Sequence, residues 1–217
     1  AINAVQNGET IVLTKDCAEV VSINKSNVAF TINGKISDTE NIAYTGKIQI
    51  NVGQNVTVKN INFSHAGNEA HDFIANVGSP TGKNYNTTLL VEGCSFVGGN
   101  NNYNTVAVRT IHPTHTQIKN STGTRLHSFL QNTGGQQVTV EGVVLTDSKG
   151  GLAIGSPNGA VSVKGCDLTT KTYGVRLDAN NTNAPGATLE NNKVNAYIPV
   201  SVRKATAANY VVTVEGD

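Results

Sequence analysis

Degenerate copies of one short pattern run almost the whole length of this chain, and they constrain its fold more than any other feature. The pattern is clearest in Asn55-Val-Thr-Val-Lys-Asn-Ile-Asn-Phe63: an alternating strand, a polar bend and a second apolar stub. Related copies begin at Thr87, Thr116, Gln137, Ala160 and Ala187. Taking the bend as a marker gives Asn33, Asn60, Gly93, Asn120, Gly142, Gly165 and Asn191, separated by 22 to 33 residues. A recurring unit of about 26 residues has to be read first, because each unit buries its apolar face only by stacking on its neighbours. The hydrophobic period inside the unit is two, which predicts strands; a helical repeat would show 3.6.

Each interval also holds a second alternating strand. Phe73–Ala75, Val106–Arg109, Ser128–Gln131, Leu152–Ile154, Val175–Leu177 and Val200–Val202 are these segments. One unit is therefore strand, bend, short strand, variable turn, strand, turn, which is a three-faced β-helix coil. About eight coils stacked at roughly 4.8 Å make a rod roughly 40 Å long. A β-sandwich would use tight hairpins at closer spacing, and Asn33-Gly34 stands nearly alone as such a signal. A propeller would need four strands in each of its longer blades.

The composition fits many strands joined by turns: 22 Gly, 5 aromatic residues in every hundred, and neither Met nor Trp among 217 residues. Asn, Thr and Val are abundant, as strand and turn chemistry requires. A net charge of +1 argues against a dedicated nucleic-acid or anionic-membrane binder. No apolar run approaches the roughly 18–20 residues that span a bilayer. The 3 cysteines do not form a disulfide framework. Cys94 and Cys166 fall in the same column of the repeat but three coils apart, about 14 Å, so they are expected as free, buried thiols. The sequons at Asn55 and Asn62 lie inside predicted strands, which favours a bacterial or phage source. The missing Met is expected of a mature form or of a piece of a longer protein.

Residues 1–8 read as a short capping helix, with Ile2 and Val5 on one face and Gly8 just past its end; coils then fill 9–217 as a single domain. The cap and the following Gly8-Glu-Thr-Ile-Val-Leu13 resemble the entry to right-handed parallel β-helix proteins of the pectate-lyase-like superfamily. The opening Ala1–Asp16 is most similar to adhesive β-helix domains of large bacterial cell-surface proteins. This resemblance implies an extracellular, cell-surface module that binds host glycans or proteins without catalysis; the phage source that the sequons also allow would place it on a phage particle instead. It also implies a stacked Asn ladder after the bend, where this chain has Ile61, Cys94, Ser121, Val143, Cys166 and Asn192.

The enzyme motifs of that superfamily are absent. Neither the clustered aspartates of a polygalacturonase nor the acidic Ca²⁺ cluster of a pectate lyase is visible, and Asp147, Asp167 and Asp178 stand apart. His71, Arg109, His112, His115, Arg125 and His127, with Asp72 beside the first of them, fall on three successive coils near one strand face. Arg offers a bidentate fork to a carboxylate or sulfate, and His makes such binding pH-sensitive. The same residues would also occur as solvated turn residues beside variable loops. A metal held by His112 and His115 is disfavoured by Pro113 between them and by the lack of a third ligand. Tyr85 and Tyr103 sit on the long polar loops that flank this region, where an aromatic face can stack on a sugar ring. Arg176, Asp178, Ser201 and Arg203 form a second outward set. The expected function is binding of an acidic glycan or a host surface protein, with no cofactor and no metal. The alternatives are a polysaccharide lyase or hydrolase and a structural rod or phage fibre segment.

Overall fold

A computed structural model describes residues 1–217 apart from 26–27, 38–39, 52–53, 77–86, 100–102, 156–157, 180–184, 204–209 and 217. The chain is a parallel β-solenoid. Its strands fall into three sheets, A with nine strands, B with seven and C with eight, and neighbours in every sheet come from successive coils. Sheet A runs from Thr10–Val12 to Val212–Glu215 and sheet B from Ile42–Tyr44 to Lys193–Asn195. Sheet C stacks Val20–Ile23, Lys47–Ile50, His71–Asn76, Thr105–Ile111, Ser128–Thr133, Leu152–Gly155, Tyr173–Asp178 and Ile198–Arg203. Every strand pair between these segments is parallel, as at Asn55↔Thr88 in sheet A and Leu130↔Leu152 in sheet C.

About seven turns are complete, one fewer than the repeat predicts. Among the described residues the first coil has no sheet B strand, and an isolated bridge between Cys17 and Tyr44 stands in its place. Inserted segments use up the remaining length. Asn33, taken from the sequence as the first bend, is the last residue of its strand and pairs with Lys59. The bend position there is Gly34, and the segment that follows it closes through an antiparallel bridge between Lys35 and Asn41.

The capping helix is not formed. Residues 1–5 make a single turn in which the Ala4 and Val5 amides both donate to the Ala1 carbonyl. Eight residues that include Asn3 and Asn7 cannot offset the cost of helix nucleation. The plugging role survives without the helix: Val5 is buried in the first coil and Ile2 packs beside it. Gly8 adopts a φ of +83° as the chain turns into sheet A.

Two inward columns of sheet A build one wall of the core. The first includes Phe30, Val56, Leu89, Val138 and Val161; the second includes Ile32, Val58, Val91, Ile118, Val140, Val163 and Leu189. Phe63 and Phe96 stack at 5.0 Å, and Phe129 meets Phe96 edge-on at 5.6 Å. Each such fully buried side chain contributes roughly 1.5–3 kcal/mol. The bends are set by backbone conformation: Asn60, Gly93, Asn120, Gly142, Gly165, Asn191 and Gly216 all have φ between +47° and +68°. Asn and Gly are the residues that enter this left-handed region most readily.

Directly after the bend, Ile61, Cys94, Ser121, Val143, Cys166 and Asn192 are all buried. The polar members do what a stacked Asn would do. Ser121 Oγ accepts the Cys94 amide at 3.2 Å, and Asn192 Oδ1 accepts the Cys166 amide at 3.1 Å. All three cysteines are free, and Cys94 and Cys166 are buried. On the outer face of sheet A, the column beside the bend reads Lys59, Glu92, Lys119, Glu141, Lys164, Glu190 and Glu215. Charge alternates down this column until its last pair, and Lys164 meets Glu190 at 2.9 Å.

Candidate functional site

The outer face of sheet C carries the richest set of charged and hydrogen-bonding groups. Because strand side chains alternate, the register fixes which residues line up there. One column reads Ala75, Arg109, Gln131, Ala153, Arg176 and Ser201. Two residues further along the strands, Ile111, Thr133, Gly155, Asp178 and Arg203 form the next.

Carboxylates hold the arginines in place. Arg109 donates from Nε and Nη2 to the two oxygens of Asp72, at 2.7 and 3.1 Å. Arg203 grips Asp178 in the same bidentate way, also at 2.7 and 3.1 Å. Arg176 Nε lies 3.5 Å from the same Asp178, and its guanidinium sits 4.8 Å from the centre of the Tyr173 ring. The residues first read as two separate sets, Asp72 with Arg109 and Arg176 with Asp178, Ser201 and Arg203, therefore share one face.

Tyr173 joins them. Its ring lies over Gly150, where an added Cβ would be 2.5 Å from Tyr173 Cζ. This places its hydroxyl 2.9 Å from Ser128 Oγ, which also accepts from Gln131 Nε2 at 3.3 Å. Between the arginines the surface dips into a groove of about 250 Å³, lined by Gln131, Thr133, Ala153, Gly155, Arg176 and Asp178 among others. The small residues Ala153 and Gly155 leave its floor open.

His127 stands at the corner where sheet B passes into sheet C. Its Nδ1–H donates to the Tyr103 carbonyl at 3.0 Å, which leaves Nε2 as an acceptor in the neutral ring. Burial, and then Lys149, Arg109 and Arg176, lower its pKa below the ordinary histidine value. Tyr103 is tied along the same corner: its hydroxyl donates to Asp147 Oδ1 at 3.0 Å, and the Lys171 ammonium contacts that hydroxyl while lying over the ring. Arg125 serves this corner too, with φ +56° and Nε donating to the Gly98 carbonyl.

The other sequence candidates lie elsewhere. His71 stacks on His65 at 4.3 Å and donates to the Gly46 carbonyl, and burial lowers its pKa. His112 occupies the turn from sheet C to sheet A with φ +51°, its ring against Gly134. His115 belongs to sheet A, hydrogen-bonded to Thr139 Oγ1 at 3.0 Å. Tyr85 lies outside the described residues. Among the described residues no three His, Cys, Asp or Glu side chains are grouped to hold a metal ion.

Ser128, Gln131 and Tyr173 are site residues that the sequence alone does not single out. The sequence signal for Tyr173 is the Gly150-Gly151 pair one coil earlier, where Gly150 clears a path for a large ring. No family model, curated protein or solved structure matches the chain.

Proposed function

We propose that this chain is an extracellular adhesive module whose sheet C face binds an acidic glycan, and that it is a divergent member of the pectate-lyase-like β-helix superfamily on a bacterial surface protein. The observation that carries the binding reading is the pair Arg109 and Arg176, each beside an aspartate: Arg176 lines the groove, and Arg109 stands one strand beyond its Gln131 edge. Fixed guanidinium forks are suited to carboxylate or sulfate groups. Asp178 and Gln131 supply an acceptor and a donor for sugar hydroxyls, and the buried Ser128 hydroxyl fixes Gln131 and Tyr173 in place. Tyr103 closes the neighbouring corner, with the Lys171 ammonium over one face of its ring.

The test is an acidic-glycan array at two pH values. Arg109→Gln and Arg176→Gln are each expected to weaken binding by roughly ten- to a hundredfold, the range for losing a hydrogen bond to a charged group. An anion beside His127 favours its protonated form, so binding is expected to tighten as pH falls through the His127 pKa, which burial and the nearby cations hold below the ordinary histidine value. The His127→Gln variant should lose that pH step. Unchanged binding by both arginine variants would rule the site out.

Eliminative cleavage of the same class of glycan is a second reading, favoured by the neutral His127 beside two arginines. It predicts unsaturated sugar ends after incubation with acidic polysaccharides. Hydrolysis finds less support. Asp72 and Asp178 sit four strands apart in sheet C, about 19 Å, whereas paired catalytic carboxylates lie within about 10 Å.

A further inference from the structure

We infer that the N-terminal end of the core is a binding pocket for a small, uncharged aromatic molecule carrying one hydrogen-bond donor, of the phenol or indole class. The pocket stands apart from the sheet C face and does not depend on the glycan reading.

The inward column of sheet B carries rings in three successive coils. Tyr44 pairs with Phe63 and Phe63 with Phe96, and the ring centres lie 5.3 and 5.0 Å apart. The bridge from Cys17 to Tyr44 puts a thiol in the next position of this column. The other two sides of the first coil are filled as in later coils. Ile11 pairs with Ile32 in sheet A, and Val21 with Ile48 in sheet C. One wall therefore lacks a ring-sized side chain, and the N-terminal turn, which brings Ala1 and Ile2 to this place, does not fill the space. The result is a cavity of about 200 Å³ among these side chains. An apolar cavity of roughly 150 Å³ already takes a benzene ring.

The chemistry of the walls narrows the occupant. A ring laid on Tyr44 continues the aromatic column at the spacing such pairs favour. The Tyr44 hydroxyl donates its proton to the Glu19 carbonyl at 2.8 Å, and a hydroxyl oxygen can still accept. Burial, and then the adjacent Cys17, raise the Tyr44 pKa, so this hydroxyl stays neutral. A ligand O–H or N–H thus finds an acceptor. Glu19, whose side chain is exposed, belongs to the lining and sets a like charge against a ligand carboxylate. Cys17 is only half-buried, so the occupant covers a thiol that reagents otherwise reach.

The probes are phenol, toluene and benzoate, titrated calorimetrically against the whole chain, with the rate of Cys17 alkylation read by mass spectrometry. Phenol and toluene are expected to bind, and benzoate to bind about tenfold or more weakly than phenol because its charge loses water on entry. Phenol at about ten times its Kd should slow Cys17 alkylation about tenfold, as mass action requires. Tyr44→Phe should weaken phenol by about tenfold, one hydrogen bond's worth, and leave toluene within about twofold. Cys17→Phe completes the column from within and should abolish binding of both. Cys17→Leu fills less of the space and covers the case in which the ring does not fit; it should weaken both. No binding of phenol, or phenol binding that survives both Cys17 variants, overturns the pocket. Benzoate binding as tightly as phenol overturns its preference for an uncharged ligand.

Discussion

A tyrosine hydroxyl reaches Ser128 across two coils because the residue beneath its ring has no side chain. That dependence explains why Tyr173 escapes a reading by period. Alternation places Arg109 and Arg176 on the outer face, but the direction of the Tyr173 ring is set by Gly150 in the coil before it. His115 escapes for a related reason: a short turn carries the chain around a corner after His112, so neighbours in sequence land on different sheets. Inward positions are easier to read, since period two and burial coincide. Cys94 and Cys166 show this, and their chemistry follows from their setting. Burial pushes the Cys94 thiol up to about 12 and that of Cys166 up to about 11, far from the thiolate that reacts. Cys17 is only half-buried. Alkylation of the native protein near pH 8 is therefore expected to modify Cys17 alone, with three adducts by mass spectrometry only after unfolding. Rapid labelling of Cys94 in the native state would contradict the packing described.

The strands and bends were legible as elements, and the cap was not. Strand order within a coil follows from alternation plus the polar bend, and both are present in every unit. The N-terminal turn depends on whether a short segment nucleates a helix, which an apolar face at the right spacing does not decide. The bend makes a sharper prediction than the strands. Asn120 has φ +47° and follows a strand whose ladder continues through its own amide, which donates to the Glu141 carbonyl at 2.9 Å. Asn120→Gly should leave the unfolding free energy from urea titration within a few tenths of a kcal/mol of the wild type. Asn120→Ala should lower stability by about 1–2 kcal/mol, the cost of left-handed backbone for a residue with a Cβ. Equal effects of the two substitutions would mean that the Asn side chain, and not the backbone, sets the bend.

Across the whole molecule, buried titratable groups set a window of stability. His71, His115 and His127 all have pKa values lowered chiefly by burial. The folded chain thus binds these protons less readily than the unfolded chain, and stability present above about pH 6.5 is lost as pH falls below it. The two buried cysteines act at the other end. Their raised values keep them protonated while unfolded thiols ionise, so their contribution is lost above about pH 8.5. Thermal unfolding should show Tm highest between these limits and falling on both sides. A Tm that rises from pH 7 to pH 5 would contradict the burial of these rings. The N-terminal coil is closed by Val5, whereas Val202 and Val214, which stand in inward columns, are half-exposed in the last coil. The alternating column on sheet A has a consequence for assembly of the rod. Its sign gives each coil a parity, odd or even. A coil that stacks past its proper neighbour by one place brings like charges together at that rung, turning an attraction worth roughly 0.2–1 kcal/mol into repulsion. Apolar columns of interchangeable Val, Ile and Leu tolerate such a slip almost silently. The charged column penalises it, and so favours the native count of coils over a slipped one.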